Sequence, residues 1–159
     1  MAAHSPSRKA PLADLDGVRL VALPVHDNDD KSRLTVIEEG AVPLKIRRVF
    51  AVRAVRAVRR GAHAHRRCNQ FLVCLEGRVV VGLDDGRRHK RVVLAGPARG
   101  LFVPAGIWAE QDYSARSTLL VLCDRAYEAS DYIRGYDRFL RFRGLAGKTR
   151  AGKKARAAP

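Results

Sequence analysis

The sequence predicts an all-β fold in which antiparallel strands form a sandwich or a closed barrel, with one short helix near the C-terminus. Three observations favour this fold. Short apolar runs recur at regular spacing, residues typical of turns separate them, and 159 residues are enough for one domain but not for two. The apolar content of 47% is that of a globular protein with a core.

Nine segments are predicted to be strands because they are short, apolar or alternating, and bounded by turn residues. They are residues 18–23, 33–39, 45–52, 63–67, 71–77, 78–85, 87–95, 100–105 and 117–124. The Ala-Val-Arg tripeptide that repeats over residues 51–59 has a period of three, which suits neither a strand nor a helix. Its start is therefore predicted to end a strand, and the rest to form a loop that leads to His63.

The one predicted helix lies near the C-terminus and begins after Ser130, a residue type that caps helices well. Its apolar residues fall on one stripe, which comprises Tyr132, Ile133, Tyr136, Phe139 and Leu140. Residues 15–143 are predicted to form the folded domain, preceded by a flexible N-terminus at 1–14. Residues 144–159 are predicted to be a flexible basic tail because they lack apolar periodicity.

The net charge of +15 raises the question of nucleic-acid binding. The basic tail suits nonspecific contact with phosphates, and a nucleic-acid module would lose its function on deletion of residues 144–159. Arginine is, however, spread through the whole domain, and no aromatic and basic platform is present. Nucleic-acid binding is therefore not predicted as the main role.

Membrane association is not predicted either. No apolar run has the length of a transmembrane helix, and the N-terminus lacks the hydrophobic core of a signal peptide. The three cysteines, Cys68, Cys74 and Cys123, are scattered and form neither a disulfide framework nor a C-x2-C metal site. A reducing cytoplasm is the expected location.

Two histidines, His63 and His65, give the strongest indication of a functional site. On an extended segment, residues i and i+2 direct their side chains to the same face. Two imidazoles directed into one cavity are either metal ligands or proton-transfer groups. The neighbouring residues distinguish between these two roles.

The spacing around the histidines resembles that of metal-binding cupins, small β-barrel proteins with the pattern G-x5-H-x-H-x3/4-E-x6-G and a later P-x-G-x2-H. In this chain Gln70 replaces the carboxylate, and Ala109 stands where the last histidine belongs. Two histidines and an amide oxygen make a poor site for zinc, iron or manganese. The prediction is a cupin-type antiparallel jelly-roll barrel without a metal or other cofactor, and a metal-dependent cupin oxygenase is disfavoured.

A more specific resemblance extends from about Leu34 to Phe139, two thirds of the chain. The segment resembles the sugar-nucleotide 3,4-ketoisomerases, the WxcM-like branch of the cupins. Two phrases carry most of it, Arg60-Gly61-x-His63-Ala64-His65 and Ser130-Asp131-Tyr132-Ile133-Arg134-x-Tyr136-Asp137-x-Phe139. They occur in the same order as in the family and are far more specific than a general cupin pattern.

The resemblance implies a metal-free isomerase that moves the keto group of a dTDP-4-keto-6-deoxyhexose from C4 to C3. It also implies a homodimer that serves a deoxysugar pathway. The family's paired histidines correspond to His63 and His65, and its arginines to Arg48 and Arg60.

The residue types fit this chemistry. The C3 proton lies next to a ketone, so general acid–base catalysis by an imidazole can remove it and return a proton at C4. His65 is favoured as the base with His63 as its partner, and the reverse assignment stays open. Arg60 is expected to stabilise the enediolate, and Arg48 and Lys31 to bind the pyrophosphate.

Three departures from the family favour an altered substrate or a loss of catalysis. Relatives carry Trp-His where this chain has Trp108-Ala109, and tyrosines where it has Phe50-Ala51, so a phenol that could bind the sugar is expected to be absent. Lys31 replaces an arginine. The alternative function is therefore a noncatalytic cupin that binds a sugar nucleotide, or a divergent member that acts on another sugar nucleotide.

Overall fold

The structure, a computed structural model, describes residues 10–11, 15–28 and 31–145. All pairings between its strands are antiparallel, and one short α-helix follows them, which confirms the predicted fold class. The elements in chain order are β1 Ala10–Pro11, β2 Arg19–Ala22, β3 Val25–Asn28, β4 Ser32–Thr35, β5 Arg48–Ala54, β6 Val58–His65, β7 Gln70–Glu76, β8 Arg78–Asp84, β9 His89–Ala95, β10 Arg99–Val103, β11 Trp108–Tyr113, β12 Ser117–Cys123, a 3-10 turn Ala129–Asp131, β13 Tyr132–Arg134 and α1 Tyr136–Phe142.

Two large sheets enclose the main core. One has the strand order β1-β2-β10-β7-β12-β5 and the other β13-β6-β11-β8-β9, while β3 and β4 form a separate hairpin. On β8 every second residue, Val79, Val81 and Leu83, is fully buried, as expected of a strand with one face toward the core. These residues share one apolar cluster with Leu72 of β7 and Val121 of β12, so both sheets contribute to the core.

Strand β7 is buried on both faces, which explains its continuous apolar run. Leu72 faces the core between the sheets, whereas Phe71 and Val73 belong to a second cluster with Val42 and Leu122. The segment from Ile37 to Ile46 therefore covers the outer face of the six-stranded sheet. A strand that is covered on both faces has apolar residues at successive positions and not at every second one.

Gly100 on β10 is required by the packing of Phe71. A Cβ atom at Gly100 would lie 2.0 Å from Phe71 Cζ, and the Phe71 side chain is fully buried. We expect Gly100→Ala to lower the free energy of unfolding by about 2–3 kcal/mol, because extra atoms in a packed core cost about 1–3 kcal/mol. Gly82→Ala on β8 is the control, since its Cβ would meet its nearest neighbour at 3.6 Å. Equal urea midpoints for the two variants would contradict this account.

The Ala-Val-Arg repeat forms more strand than predicted. Strand β5 continues to Ala54 and β6 already begins at Val58, so only residues 55–57 connect them. The prediction of a loop up to His63 was wrong because pairing with β12 and β11 determines the structure of this segment, not its tripeptide period.

The predicted helix over the stripe from Tyr132 was also wrong in its first half. Residues 129–131 form a 3-10 turn, 132–134 form β13, and α1 begins only at Tyr136. Gly135 caps α1 with a φ of 94°, a conformation that glycine adopts readily, and Ser130 caps no α-helix. In α1 the buried Phe139 packs with Ile133 and Trp108, so only part of the stripe faces the core.

The backbone stays ordered by packing and hydrogen bonding just beyond α1. Leu145 is buried, and its N–H donates to the carbonyl of Leu140 at 2.8 Å. The rest of the predicted basic tail and most of the predicted flexible N-terminus lie outside the described residues. Among the described residues, no helix is long and apolar enough to cross a membrane.

Candidate active site

A cavity of about 450 Å³ opens between the two sheets, at the strands that carry the predicted site residues. His63 and Arg60 of β6 line it together with Gln70 of β7. Tyr132 and Arg134 of β13 complete the wall on the β6 side. The structure thus brings three of the residues singled out in the sequence into one cavity.

The pairing of β13 with β6 determines the surroundings of the two histidines. Tyr132 lies opposite His65, and Arg134 lies opposite His63. Directly opposed residues share a face of the sheet, and the rings are accordingly in contact. The ring centroid of Tyr132 is 5.0 Å from that of His63 and 4.4 Å from that of His65, and the two imidazoles are 5.1 Å apart.

A β-bulge in β6 allows Arg60 and His63 to line the same cavity. Residues three apart on a regular strand face opposite sides, but the register with β11 shifts between Ala109 and Glu110, which adds one residue to β6. Ala62 and Gly61 in the bulge have φ angles of 56° and 86°. A Cβ atom at Gly61 would lie 2.8 Å from the carbonyl oxygen of Ala109, so the bulge requires glycine there.

His65 is held by Asp131, a residue that was not predicted to belong to the site. Its Nδ1 lies 2.8 Å from Asp131 Oδ2, and both side chains are buried. Asp131 also accepts hydrogen bonds from the backbone N–H groups of Arg67 and Cys68, in the turn that follows β6. A carboxylate on Nδ1 favours the tautomer with a proton at Nδ1, which leaves Nε2 as the basic nitrogen. That Nε2 atom is buried and has no hydrogen-bond partner.

Burial and charge keep the imidazoles neutral. Burial lowers the pKa of His65, and the charges of Arg48 and Arg134 add to this effect, although Asp131 acts in the opposite direction. Burial also lowers the pKa of His63, against a hydrogen bond to the carbonyl of Gly61. For Asp131, burial alone would raise the pKa, but the hydrogen bonds from His65 and the backbone outweigh it and the pKa is lowered. At neutral pH the Asp131–His65 pair is therefore a carboxylate hydrogen-bonded to a neutral imidazole.

His65, Cys68 and Asp131 are close enough to be considered as metal ligands, because one donor atom of each lies within 4.8 Å of the others. Their chemistry does not suit this role. Nδ1 and the carboxylate are already hydrogen-bonded to each other, and the carboxylate accepts two backbone N–H groups. A hydrogen bond to Cys123 raises the pKa of the Cys68 thiol, whereas metal binding needs the thiolate.

Arg48 lies at the edge of the same site. It lines a second cavity, of about 300 Å³, together with Phe50, Tyr127 and Tyr132. Phe50 and Tyr132 also line the larger cavity, so the two cavities adjoin. Lys31, in contrast, is exposed in the turn between β3 and β4 and lines neither cavity of its own chain.

The larger cavity is cationic. Arg59, Arg60 and Arg134 line it, and no acidic side chain does so among the described residues. The expected loss of a phenol at Phe50 is compensated in part, because Tyr113 and Tyr132 both line the cavity. Burial raises the pKa of Tyr113 to about 12, so its hydroxyl stays protonated and can donate a hydrogen bond. Ala109 lies opposite His63, where a histidine in its place would adjoin the imidazole pair.

Three residues of the site, Asp131, Tyr132 and Arg134, were missed as functional residues. All belong to the phrase Ser130-Asp131-Tyr132-Ile133-Arg134, which indicates the family but whose apolar residues predicted a helix and not a part of the site. The arrangement they complete, a neutral imidazole with a fixed tautomer next to a cationic cavity, suits proton transfer to and from a bound anion.

The sequence matches the family described as FdtA, WxcM-like, C-terminal, over residues 16–144. The chain belongs to this family. A curated relative of this FdtA-family chain is the TDP-4-oxo-6-deoxy-alpha-D-glucose-3,4-oxoisomerase of Aneurinibacillus thermoaerophilus, which is 38% identical over 117 residues, 72% of this chain and 84% of the relative.

Solved structures of 3,4-ketoisomerases are similar as well. The enzyme from Helicobacter canadensis is 30% identical, with a TM-score of 0.76 over 80% of this chain and 98% of that one. A histidine-to-asparagine variant of QdtA from Thermoanaerobacterium thermosaccharolyticum, in complex with TDP-4-keto-6-deoxyglucose, is 30% identical with a TM-score of 0.78 over 85% and 99%. The TDP-quinovose 3,4-ketoisomerase WlaRB from Campylobacter jejuni is 32% identical with a TM-score of 0.74 over 80% and 99%.

Proposed function

We propose that this FdtA-family protein is a sugar-nucleotide 3,4-ketoisomerase that moves the keto group of a dTDP-4-keto-6-deoxyhexose from C4 to C3. The observation that carries the proposal is the Asp131–His65 pair, whose imidazole contacts His63, a residue that lines the cationic cavity. The curated relative at 38% identity and the solved ketoisomerases support the reaction type and the TDP-linked substrate.

In the first step a base removes the proton from C3. His65 takes this role through Nε2, because Asp131 fixes the proton of the ring on Nδ1. The electron pair of the C3–H bond forms a C3–C4 double bond, and the C4 carbonyl oxygen becomes an enolate oxygen. Arg60 and Arg134 line the cavity in which this charge develops and stabilise it electrostatically.

In the second step the proton of the C3 hydroxyl passes to the enolate oxygen on C4, the C3 carbonyl forms, and a proton is added at C4. The imidazolium of His65 can return the proton that it received, so no redox cofactor is required. His63, whose ring lies 5.1 Å from that of His65, is its partner in proton transfer. Atoms and charge balance, since substrate and product are isomers.

The pyrophosphate binds through guanidinium groups, which match phosphate oxygens in shape and charge. Arg48 remains a proposed contact, in the smaller of the two adjoining cavities. Lys31 also stays a proposed contact of the pyrophosphate, and only the resemblance to the family supports it. We also propose a homodimer, which two exposed apolar residues support, Val49 on the edge strand β5 and Val55 in the turn that follows it, because exposed apolar patches are typical of an interface.

The test is to incubate the protein with dTDP-4-keto-6-deoxyglucose and follow the carbonyl carbon by 13C NMR. We expect the carbonyl signal to move from C4 to C3, and deuterium from the solvent to enter at the reacting carbons. If the substrate binds but keeps its ketone at C4, the isomerase proposal is wrong, and the protein is a noncatalytic sugar-nucleotide-binding protein.

A further inference from the structure

Cys123, the last residue of β12, lies between two residues of the site. Its neighbours across the sheet are Arg48 on β5 and Gln70 on β7. Directly opposed residues on adjacent strands direct their side chains to the same face. The Cys123 sulfur accordingly accepts hydrogen bonds from Arg48 Nη2 at 3.3 Å and from Gln70 Nε2 at 3.8 Å, and it is fully buried.

The Arg48 side chain needs a negative partner. Its guanidinium lies 5.4 Å from the ring centroid of Phe50 and 5.6 Å from that of Tyr127, and its Nε atom is buried without a hydrogen-bond partner. Burial lowers the pKa of Arg48, whereas hydrogen bonds to Cys123 and Tyr132 raise it. No carboxylate among the described residues forms an ion pair with its guanidinium. Since a partly buried charge is costly without a counter-charge, the thiolate of Cys123 is the group that can supply one.

The groups around the sulfur favour that thiolate. A hydrogen bond from Cys68 and the contacts of Arg48 and Gln70 lower the pKa of Cys123, against the effect of burial. The carboxylate of Asp124, the next residue, is directed to the backbone and side chain of Asn69.

We propose that Cys123 is a positioning residue of the active site, in which its thiolate holds Arg48 and Gln70 in place from the strand between them. The inference rests on the proposed function, since these two side chains line the two adjoining cavities. Loss of the sulfur releases one side chain in each cavity and leaves the Asp131–His65 pair intact. Substrate binding is therefore affected more than proton transfer.

The first experiment uses the unaltered protein. The ultraviolet absorbance of the thiolate is followed as the pH is lowered from about 9 to 5, a range that spans the ordinary cysteine pKa of about 8.5. One thiolate per chain is expected at neutral pH, and it disappears only on acidification well below the ordinary pKa. Absorbance that is already lost near the ordinary pKa would overturn the inference, whether or not any variant folds.

The second experiment compares Cys123→Ser with Cys74→Ser. Cys74 is a matched control because it is also fully buried in the main core, but its sulfur contacts the backbone carbonyls of Glu76 and Gly77. We expect Cys123→Ser to lose the neutral-pH thiolate and to raise KM and the Kd for TDP by about tenfold or more, because Arg48 and Gln70 lose a charged hydrogen-bond acceptor. kcat stays largely unchanged, and Cys74→Ser leaves all of these values as in the wild type.

Equal KM and Kd values in the two serine variants would overturn the positioning role. The proposed function is tested separately by the wild type. A wild type that does not isomerise the sugar, combined with TDP binding that Cys123→Ser weakens, would refute the isomerase and support the role of Cys123 in holding the site.

Discussion

Replacement of His65 by asparagine is expected to abolish the keto shift while TDP binding is retained. Asparagine keeps a polar side chain beside Asp131 but cannot take a proton, and general acid–base groups contribute on the order of 10²–10⁴ to the rate. A loss of this size in kcat is expected, together with the loss of deuterium exchange at C3. The measurements are turnover by NMR and TDP binding by calorimetry.

His89→Asn is the control for this substitution. His89 on β9 also lies near a carboxylate, with Nδ1 3.8 Å from Asp84 Oδ2, but β11 and β8 separate its strand from β6, which carries the site histidines. We expect wild-type turnover in that variant. His63→Asn tests the assignment that the sequence left open, because exchange at C3 that survives in His65→Asn and disappears in His63→Asn would make His63 the base.

Most strands of the barrel could be predicted from the sequence because their own residues show an apolar or alternating pattern. Strand β7 is predicted by its continuous apolar run, since both of its faces are covered, and β8 by its alternation. Strand β11, Trp108–Tyr113, was not predicted. Its middle residues, Glu110, Gln111 and Asp112, are polar, and only pairing with β6 and β8 makes this segment a strand.

The site is predictable only where its residues are close in sequence. His63 and His65 lie on one strand, so their spacing alone indicates a common face. Asp131 is 66 residues from its partner His65, and its place depends on the pairing of β13 with β6. A strand of three residues is too short to show alternation, and the apolar residues of 132–140 also fit a helical period. Because this segment was predicted to be a helix, the residues that complete the site were not recognised.

Replacement of Asp131 by asparagine is expected to lower kcat by about 10²–10³ and to move the acid limb of the pH–rate profile to lower pH. Activity requires neutral His65, so it is present above the folded-state pKa of this residue and lost as the pH falls through it. In the wild type that pKa is already below about 6.5, because burial lowers it. Asp131 raises the pKa of His65. Its replacement by asparagine therefore lowers this pKa further and moves the acid limb of the pH–rate profile to a still lower pH.

The Asp131→Asn variant has a second expected effect, on stability. Both carboxylate oxygens of Asp131 accept backbone N–H groups in the turn after β6, and an amide can accept with one oxygen only. We expect a loss of about 1–3 kcal/mol in the free energy of unfolding at neutral pH. Since the folded-state pKa of Asp131 is lowered, its contribution is complete above the unfolded value of about 3.9 and is lost as the pH falls through the folded value. The difference in the free energy of unfolding between the variant and the wild type should therefore become smaller at acid pH.

Asp124→Asn separates these two effects. Asp124 also accepts a backbone N–H, from Asn69 at 2.9 Å, and a second hydrogen bond from the Asn69 side chain, but it has no contact with His65. Both variants should lose stability in urea, whereas only Asp131→Asn should shift the acid limb and lower kcat. If Asp124→Asn lowers kcat and moves the limb to the same extent, the carboxylate at 131 acts through the fold alone. If neither variant moves the limb, His65 is not the group whose protonation limits the reaction, and the base must be sought in His63.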